Sequence, residues 1–179
     1  MFGFTSTFAL QTGFEASEIT WIVAAFMVPH AIATLFMGNV IIPRLGEGKS
    51  LVAAFLLVTI ATMLIPFAQL KNIFLVIQGL QGFSLGMIFP LLLGMSIQSI
   101  KPAKRATAMG AYQSIYAIGI FVGPFLAGVV NSQFGLASGF YFAGGLGMIA
   151  TLLVAIWYRG KIFTRLSFGN KDTKKHHAI

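Results

Sequence analysis

Apolar residues follow one another in long runs, rather than in the alternation of a half-buried strand or the narrow stripe of a surface helix. Five runs extend approximately from Ser17 to Ile42, Leu51 to Leu70, Ile73 to Ile100, Ala106 to Val130 and Leu136 to Tyr158. About 20 predominantly apolar residues cross the roughly 30 Å of bilayer hydrocarbon as a helix, which satisfies its own backbone polar groups where no water can. Each run therefore predicts a transmembrane helix. Met1 to Leu10 is apolar too, but at about 1.5 Å per residue it reaches only half way across; it reads as the end of a truncated span. No basic segment precedes it and the first charge is the acidic Glu15, so it does not read as a secretory signal. The expected fold is an all-α polytopic membrane protein with five complete transmembrane helices plus the end of a sixth. Residues 1–158 form the bundle and residues 159–179 a basic tail.

Composition supports the bilayer as the chain's partner. The 179 residues are 57% hydrophobic and 9% charged, whereas soluble domains carry about a quarter charged residues. So few charges cannot cover the outside of a water-soluble globule. The absence of cysteine removes disulfides, thiolate catalysis and Cys-type metal sites. With three His and four acidic residues, no metal, cofactor or catalytic residue is expected, and no enzyme: nucleophile–base pairs, paired intramembrane carboxylates and ligand clusters are all missing from the pattern. The net charge of +8 falls between the apolar runs or in the tail, so it predicts topology and no nucleic-acid partner.

If the turn after the second span is inside, the inside segments hold Arg44, Lys49, Lys101, Lys104, Arg105, Arg159, Lys161, Arg165, Lys171, Lys174 and Lys175. Of the twelve Lys and Arg, Lys71 alone then lies outside, with Glu15 and Glu18. By the positive-inside rule the C-terminal tail is cytoplasmic, in a multi-pass protein of the cell (plasma) membrane.

Polarity differs among the spans. Leu51 to Leu70 carries only Thr59, Thr62 and a terminal Gln69, and Leu136 to Tyr158 little beyond Ser138 and Tyr141; both can face lipid all round. The other spans hold His30, Gln78, Gln81, Gln98, Tyr112, Gln113, Ser114 and Tyr116, groups that are costly against hydrocarbon and so face protein or water. Gly82 with Gly86 and Gly119 with Gly123 form two GxxxG pairs, the spacing that lets helix backbones approach closely. Pro29, Pro66, Pro90 and Pro124 lie within spans, so a tightly packed, kinked bundle is expected.

From Gly110 the chain reads Gly110-x8-Gly119-x3-Gly123-Pro124-x2-Ala127-Gly128. This closely resembles the glycine-proline signature of the major facilitator superfamily, best known in its drug/proton antiporters. A second superfamily signature occupies the cytoplasmic turn between the second and third helices of a repeat. In the matching turn this chain keeps Gly38, the Arg44-Leu45-Gly46 core and Lys49. Pro43 stands where the family has Asp, and Gly38 is one residue too far from Arg44. Such degeneration resembles the second repeat, so the likeness implies a C-terminal six-helix half, from the end of helix seven through helix twelve, with an N-terminal half missing. It covers nearly the whole chain. The resemblance further implies that the first, second, fourth and fifth helices line a central cavity, that the third and sixth are peripheral, and that two halves rock about a midplane site. The two apolar spans fall in the peripheral places.

Six residues are the substrate-cavity candidates: His30, Gln78, Gln81, Tyr112, Gln113 and Tyr116. An intramembrane ionisable group is a functional candidate by default, and His titrates near neutral pH, so His30, beside Pro29, can carry a coupling proton or instead stay neutral and bond a neighbouring helix. Gln78 and Gln81 share a helix face, and Tyr112 and Tyr116 share a stripe with Gly119 and Gly123. Amides and aromatics suit a neutral or cationic amphipathic solute; they also bond helix to helix. Gly110, Gly119, Gly123, Pro124 and Gly128 are assigned by the resemblance to shaping and sealing the bundle, and Gly38, Arg44 and Gly46 to an inside gate. No Asp, Glu, Lys or Arg lies deep in any span, so a proton-coupled cycle by this chain alone has only His30 to use. The expected function is transport of a small amphipathic solute by alternating access, as one half of a multidrug-type efflux transporter; an uptake permease of the same fold, or a non-transporting fragment that associates with a partner, stands as the alternative.

Overall fold

The structure is a computed structural model that describes residues 2–176, with side chains described over residues 4–160. Its helices are α1 (Phe2–Gln11), α2 (Ile19–Phe36), α3 (Ile42–Leu45), α4 (Glu47–Leu64), α5 (Lys71–Ile97), α6 (Arg105–Phe134) and α7 (Leu136–His176). No strand occurs among the described residues. Five segments are long and apolar enough to cross a membrane: Ala16–Leu45, Glu47–Phe67, Lys71–Ile97, Pro102–Phe134 and Leu136–Gly160. They match the five apolar runs to within a few residues. The helix of the last span continues through Tyr158, where the sequence places the start of the tail, as far as His176.

The turn around Pro43 shows how sequence sets local geometry. Proline has no N–H to give to the residue four before it, and its ring crowds that residue's carbonyl. Immediately before Pro43 the helix widens to a π-helical turn, Met37–Ile41, in which the Ile42 N–H bonds the Met37 carbonyl five residues back. Gly46 then takes φ +77° and Gly135, between α6 and α7, φ +88°. Positive φ is open to glycine at little cost, and each of these glycines lets one helix stop and the next start without a long loop.

Packing centres on α5. Gly79, Gly82 and Gly86 lie along one side of it, and a Cβ at any of them would meet a backbone carbonyl of α2: those of Ala25, Phe26 and His30 respectively. Backbone thus sits directly on backbone, the close approach that small residues permit in membrane helices. The Thr34 hydroxyl lies 2.9 Å from the His30 carbonyl in its own helix and 3.1 Å from the Gly86 carbonyl across the seam.

On the other side of α5, α4 packs between α5 and α7. Ser50, Thr59 and Thr62 of α4 are buried, and Gly144 and Gly147 of α7 receive Met63 and Thr59. The expectation that this span faces lipid all round is therefore not met. Thr59 and Thr62 donate to the carbonyls of Phe55 and Val58, four residues back, at 2.7 Å each, which lets their polarity enter a helix interface at little cost. α7 is likewise covered on the side that meets α4 and α6. α6 is attached more loosely: Ala127 is its one buried residue among those described.

Two apolar cores result. One gathers Phe8, Phe14, Ile22, Ile65, Phe74 and Phe140, with Phe8 and Phe140 edge to face at 5.3 Å. The other gathers Ala33, Met37, Leu51, Ala54, Met87 and Leu91. Beyond the first core, Lys71 Nζ reaches Glu18 Oε2 at 2.6 Å and Oε1 at 2.9 Å. Beyond the second, Gln98 Nε2 donates to Glu47 Oε1 at 3.0 Å. The polar residues of α5 lie between the cores.

Candidate functional site

Gln78 and Gln81 are three residues apart on α5 and share one side of it. Gln78 is 1% exposed and Gln81 5%. Gln81 Nε2 donates to Thr62 Oγ1 of α4 at 2.9 Å, so Thr62 accepts one hydrogen bond while giving its own hydrogen to Val58. Gln78 Nε2 has no partner among the described residues. Both amides border a cavity of about 610 Å³. Gln81 lies ten residues, about 15 Å, along α5 from Lys71, which places this cavity at membrane depth.

The walls come from six helices. Phe26 of α2, Val58 and Thr59 of α4, Tyr116, Gly119, Gly123 and Pro124 of α6, and Phe142 and Leu146 of α7 contribute, together with Phe4 and Thr5 of α1. The cavity thus lies inside the bundle, and α4 and α7, whose sequences suggest lipid-facing helices, supply part of its lining. Thr59, Thr62 and Phe142 are wall residues that the sequence reading passes over; the three-residue spacing of the two threonines is the signal that marks a shared face.

The other sequence candidates sit at varying distances from this volume. His30 is half-buried one turn beyond Phe26 and stacks on it, ring centroids 5.7 Å apart at 20°, without bordering the cavity; its Nδ1 is buried with no partner among the described residues. Tyr112 and Tyr116 stack at 6.3 Å and 10°, and both rings meet Phe89 of α5, at 5.9 and 4.9 Å. Of the two, only Tyr116 reaches the cavity. Gln113 is exposed on α6 and does not border it.

Among the gating candidates, Gly38 lies in the π-helical turn and Arg44 in α3, exposed and with no ion pair among the described residues. Gly46, Gly110, Gly119 and Gly123 have nothing within 4 Å of where a Cβ would stand, and Gly128 faces the ring of Phe4 at 3.4 Å. The two GxxxG pairs therefore differ. Gly82 and Gly86 form a helix seam; Gly119 and Gly123 open onto the cavity instead of packing another helix. Among the described residues no group of three His, Cys, Asp or Glu comes together that would hold a metal ion.

The family model of the Major Facilitator Superfamily matches residues 1–177. The chain belongs to the Major Facilitator Superfamily. Multidrug export protein EmrB of Escherichia coli is similar, 24% identical over 155 residues that make up 87% of this chain and 30% of that protein. Quinolone resistance protein NorA of Staphylococcus aureus is 25% identical over 142 residues, 79% of this chain and 36% of its own length. Fatty acid resistance protein FarB of Neisseria gonorrhoeae is 29% identical over 121 residues, 68% of this chain and 24% of its own. The chain thus spans about a third or less of the length of these curated relatives. No solved structure matches it significantly. As a superfamily member with five spanning helices, it is a multi-pass membrane protein. The glycine-proline run that carries the superfamily resemblance lies along α6, and Gly119, Gly123 and Pro124 within it border the cavity.

Proposed function

We propose that this chain is one half of an alternating-access secondary transporter that moves a small amphipathic solute across the cell membrane, with export as the direction. The observation that carries this reading is the cavity at membrane depth, where Gln78, Gln81 and Tyr116 supply polar and aromatic contacts on otherwise apolar walls. Such a lining suits a solute that is mostly apolar with a few polar groups. Superfamily membership supports transport over catalysis, and the relatives named for multidrug export and quinolone resistance support export.

In this reading a complementary six-helix half completes the translocation path, and the two halves rock about it. α6 offers the surface for that partner: Ile115, Ile118, Phe121 and Phe125 are largely exposed along it. The tail lies on the cytoplasmic side with Arg44, Lys49, Lys101 and Lys104, as the positive-inside rule requires. His30 serves as the proton-carrying group, as the ionisable side chain within the spans whose ring stacks on Phe26, a cavity wall. Tyr112 and Gln113 join the path on the side of α6 that meets the partner half, and Arg44 with Gly38 and Gly46 forms part of the inside gate.

The test uses everted membrane vesicles carrying the full chain, alone and with the N-terminal six-helix half of a superfamily relative, assayed for energised accumulation of ethidium. Accumulation only with both halves is the expected result. If neither preparation accumulates dye while both proteins are shown to be inserted and folded, export of such solutes is rejected.

A further inference from the structure

The two ends of α6 are held unequally. From Ala127 onward its burial follows a helical stripe, with Ala127 buried and Gly128, Val130 and Asn131 partly so, the one-sided pattern of a packed helix. Two hydrogen bonds fasten that stretch to α7: the Gly139 N–H donates to Asn131 Oδ1 at 2.7 Å and Ser138 Oγ to the Val130 carbonyl at 3.3 Å. From Gln113 to Val122 the stripe is gone. Every residue there is exposed, over nearly three turns, so no side of the helix is packed as the outer stretch is. What holds the inner stretch is ring contact of Tyr112 and Tyr116 with Phe89, which permits sliding, and a bond from Arg105 Nε to the Ile100 carbonyl in the preceding turn.

The space beside that stretch is the cavity, which Tyr116, Gly119, Ile120 and Gly123 border from α6. Gly119 and Gly123 have nothing within 4 Å of a Cβ position, yet the same spacing at Gly82 and Gly86 brings the α2 backbone into contact with α5. α6 thus carries a face smooth enough for close approach, held off from what it faces. The loose and the fastened stretches meet at Gly123-Pro124. Pro124 has no N–H to give to the Ile120 carbonyl, and its ring crowds that carbonyl; this is where the helix bends most readily.

We propose that residues 105–123 of α6 form a lid that swings about Gly123-Pro124 and closes the cavity by bringing Gly119 and Gly123 onto its facing wall, while residues 127–131 stay fixed to α7. That the lid shuts a solute path rests on the transport reading above; that α6 moves does not.

Double electron–electron resonance between paired nitroxides reads the motion, on the full chain in lipid nanodiscs with neither a partner half nor dye. The chain has no cysteine, so each pair needs only two substitutions. Ser114→Cys with Leu56→Cys, both at exposed positions, measures the inner stretch of α6 against α4; Phe134→Cys with Leu64→Cys, also exposed, measures the outer ends. Two distances are expected for the inner pair and one for the outer. Gly119→Leu, whose side chain occupies the space from a position where its Cβ meets nothing, should remove the shorter inner distance. Pro124→Ala, which restores the missing N–H, should merge the two into one, and neither variant should lower the thermal midpoint. A single inner distance as narrow as the outer one, or a shorter distance that survives Gly119→Leu, would overturn the lid; two distances that survive Pro124→Ala would overturn the hinge. Failed dye export with two inner distances strikes the transport reading and leaves the lid standing, whereas export with one inner distance does the reverse.

Discussion

A glutamine in a membrane helix has four hydrogen-bonding positions to satisfy and few places to find partners. Gln81 finds one in Thr62, at 2.9 Å across the α4–α5 interface. Gln81→Leu removes that bond while Thr62 keeps its bond to Val58, so the expected loss is about 0.5–1.5 kcal/mol, measured as the unfolding free energy in mixed micelles. His30 is tested in transport: His30→Ala in the reconstituted two-half protein should flatten the pH dependence of dye accumulation, and an unchanged profile would exclude the coupling role. Residue identity alone made His30, Gln78, Gln81 and Tyr116 candidates, because polar groups at such depth face protein or water; Gln78, Gln81 and Tyr116 border the cavity and His30 does not. Identity could not rank Gln113 against Tyr116. Both are polar and lie three residues apart on α6; only the rotation of that helix about its axis, set by its packing on α7, leaves Gln113 exposed and turns Tyr116 to the cavity.

Between helices, the same spacing of glycines does two different things. Gly82 and Gly86 seat the α2 backbone, while Gly119 and Gly123 leave space. Gly82→Leu should therefore force the α2–α5 seam apart and cost about 1–3 kcal/mol or more, as overpacking does, read as a large fall in thermal midpoint. Gly123→Ala should leave the midpoint unchanged or raise it, because alanine is the better helix former by about 0.8–1.0 kcal/mol and its Cβ meets nothing. A glycine pair in sequence reports a smooth helix face but not what lies against it, so the seam and the opening were indistinguishable beforehand. The spans themselves were legible to within a few residues, since length and hydropathy decide them. The placement of α4 was not, because Thr59 and Thr62 bond their own helix and so look the same to hydropathy in lipid or in an interface.

At the scale of the whole molecule the charges sort to two ends. The chain has no cysteine, so single thiols report topology without background. Gly13→Cys should react with an impermeant maleimide from outside intact cells, and Lys101→Cys only after the membrane is opened; the reverse pattern would invert the proposed orientation. Glu18 and Lys71 pair at the Gly13 end, and their side chains are 31% and 46% exposed, so the pair is open to screening by salt. The glycine seam beside it has a mechanical meaning. Sliding α5 along α2 by one residue would drive the side chain of Leu80, Phe83 or Leu85 into a backbone carbonyl, and the Thr34 hydroxyl would lose its place at Gly86. Along Gly79 to Gly86 the two helices are therefore held in one register, and a motion of either over that stretch carries the other with it.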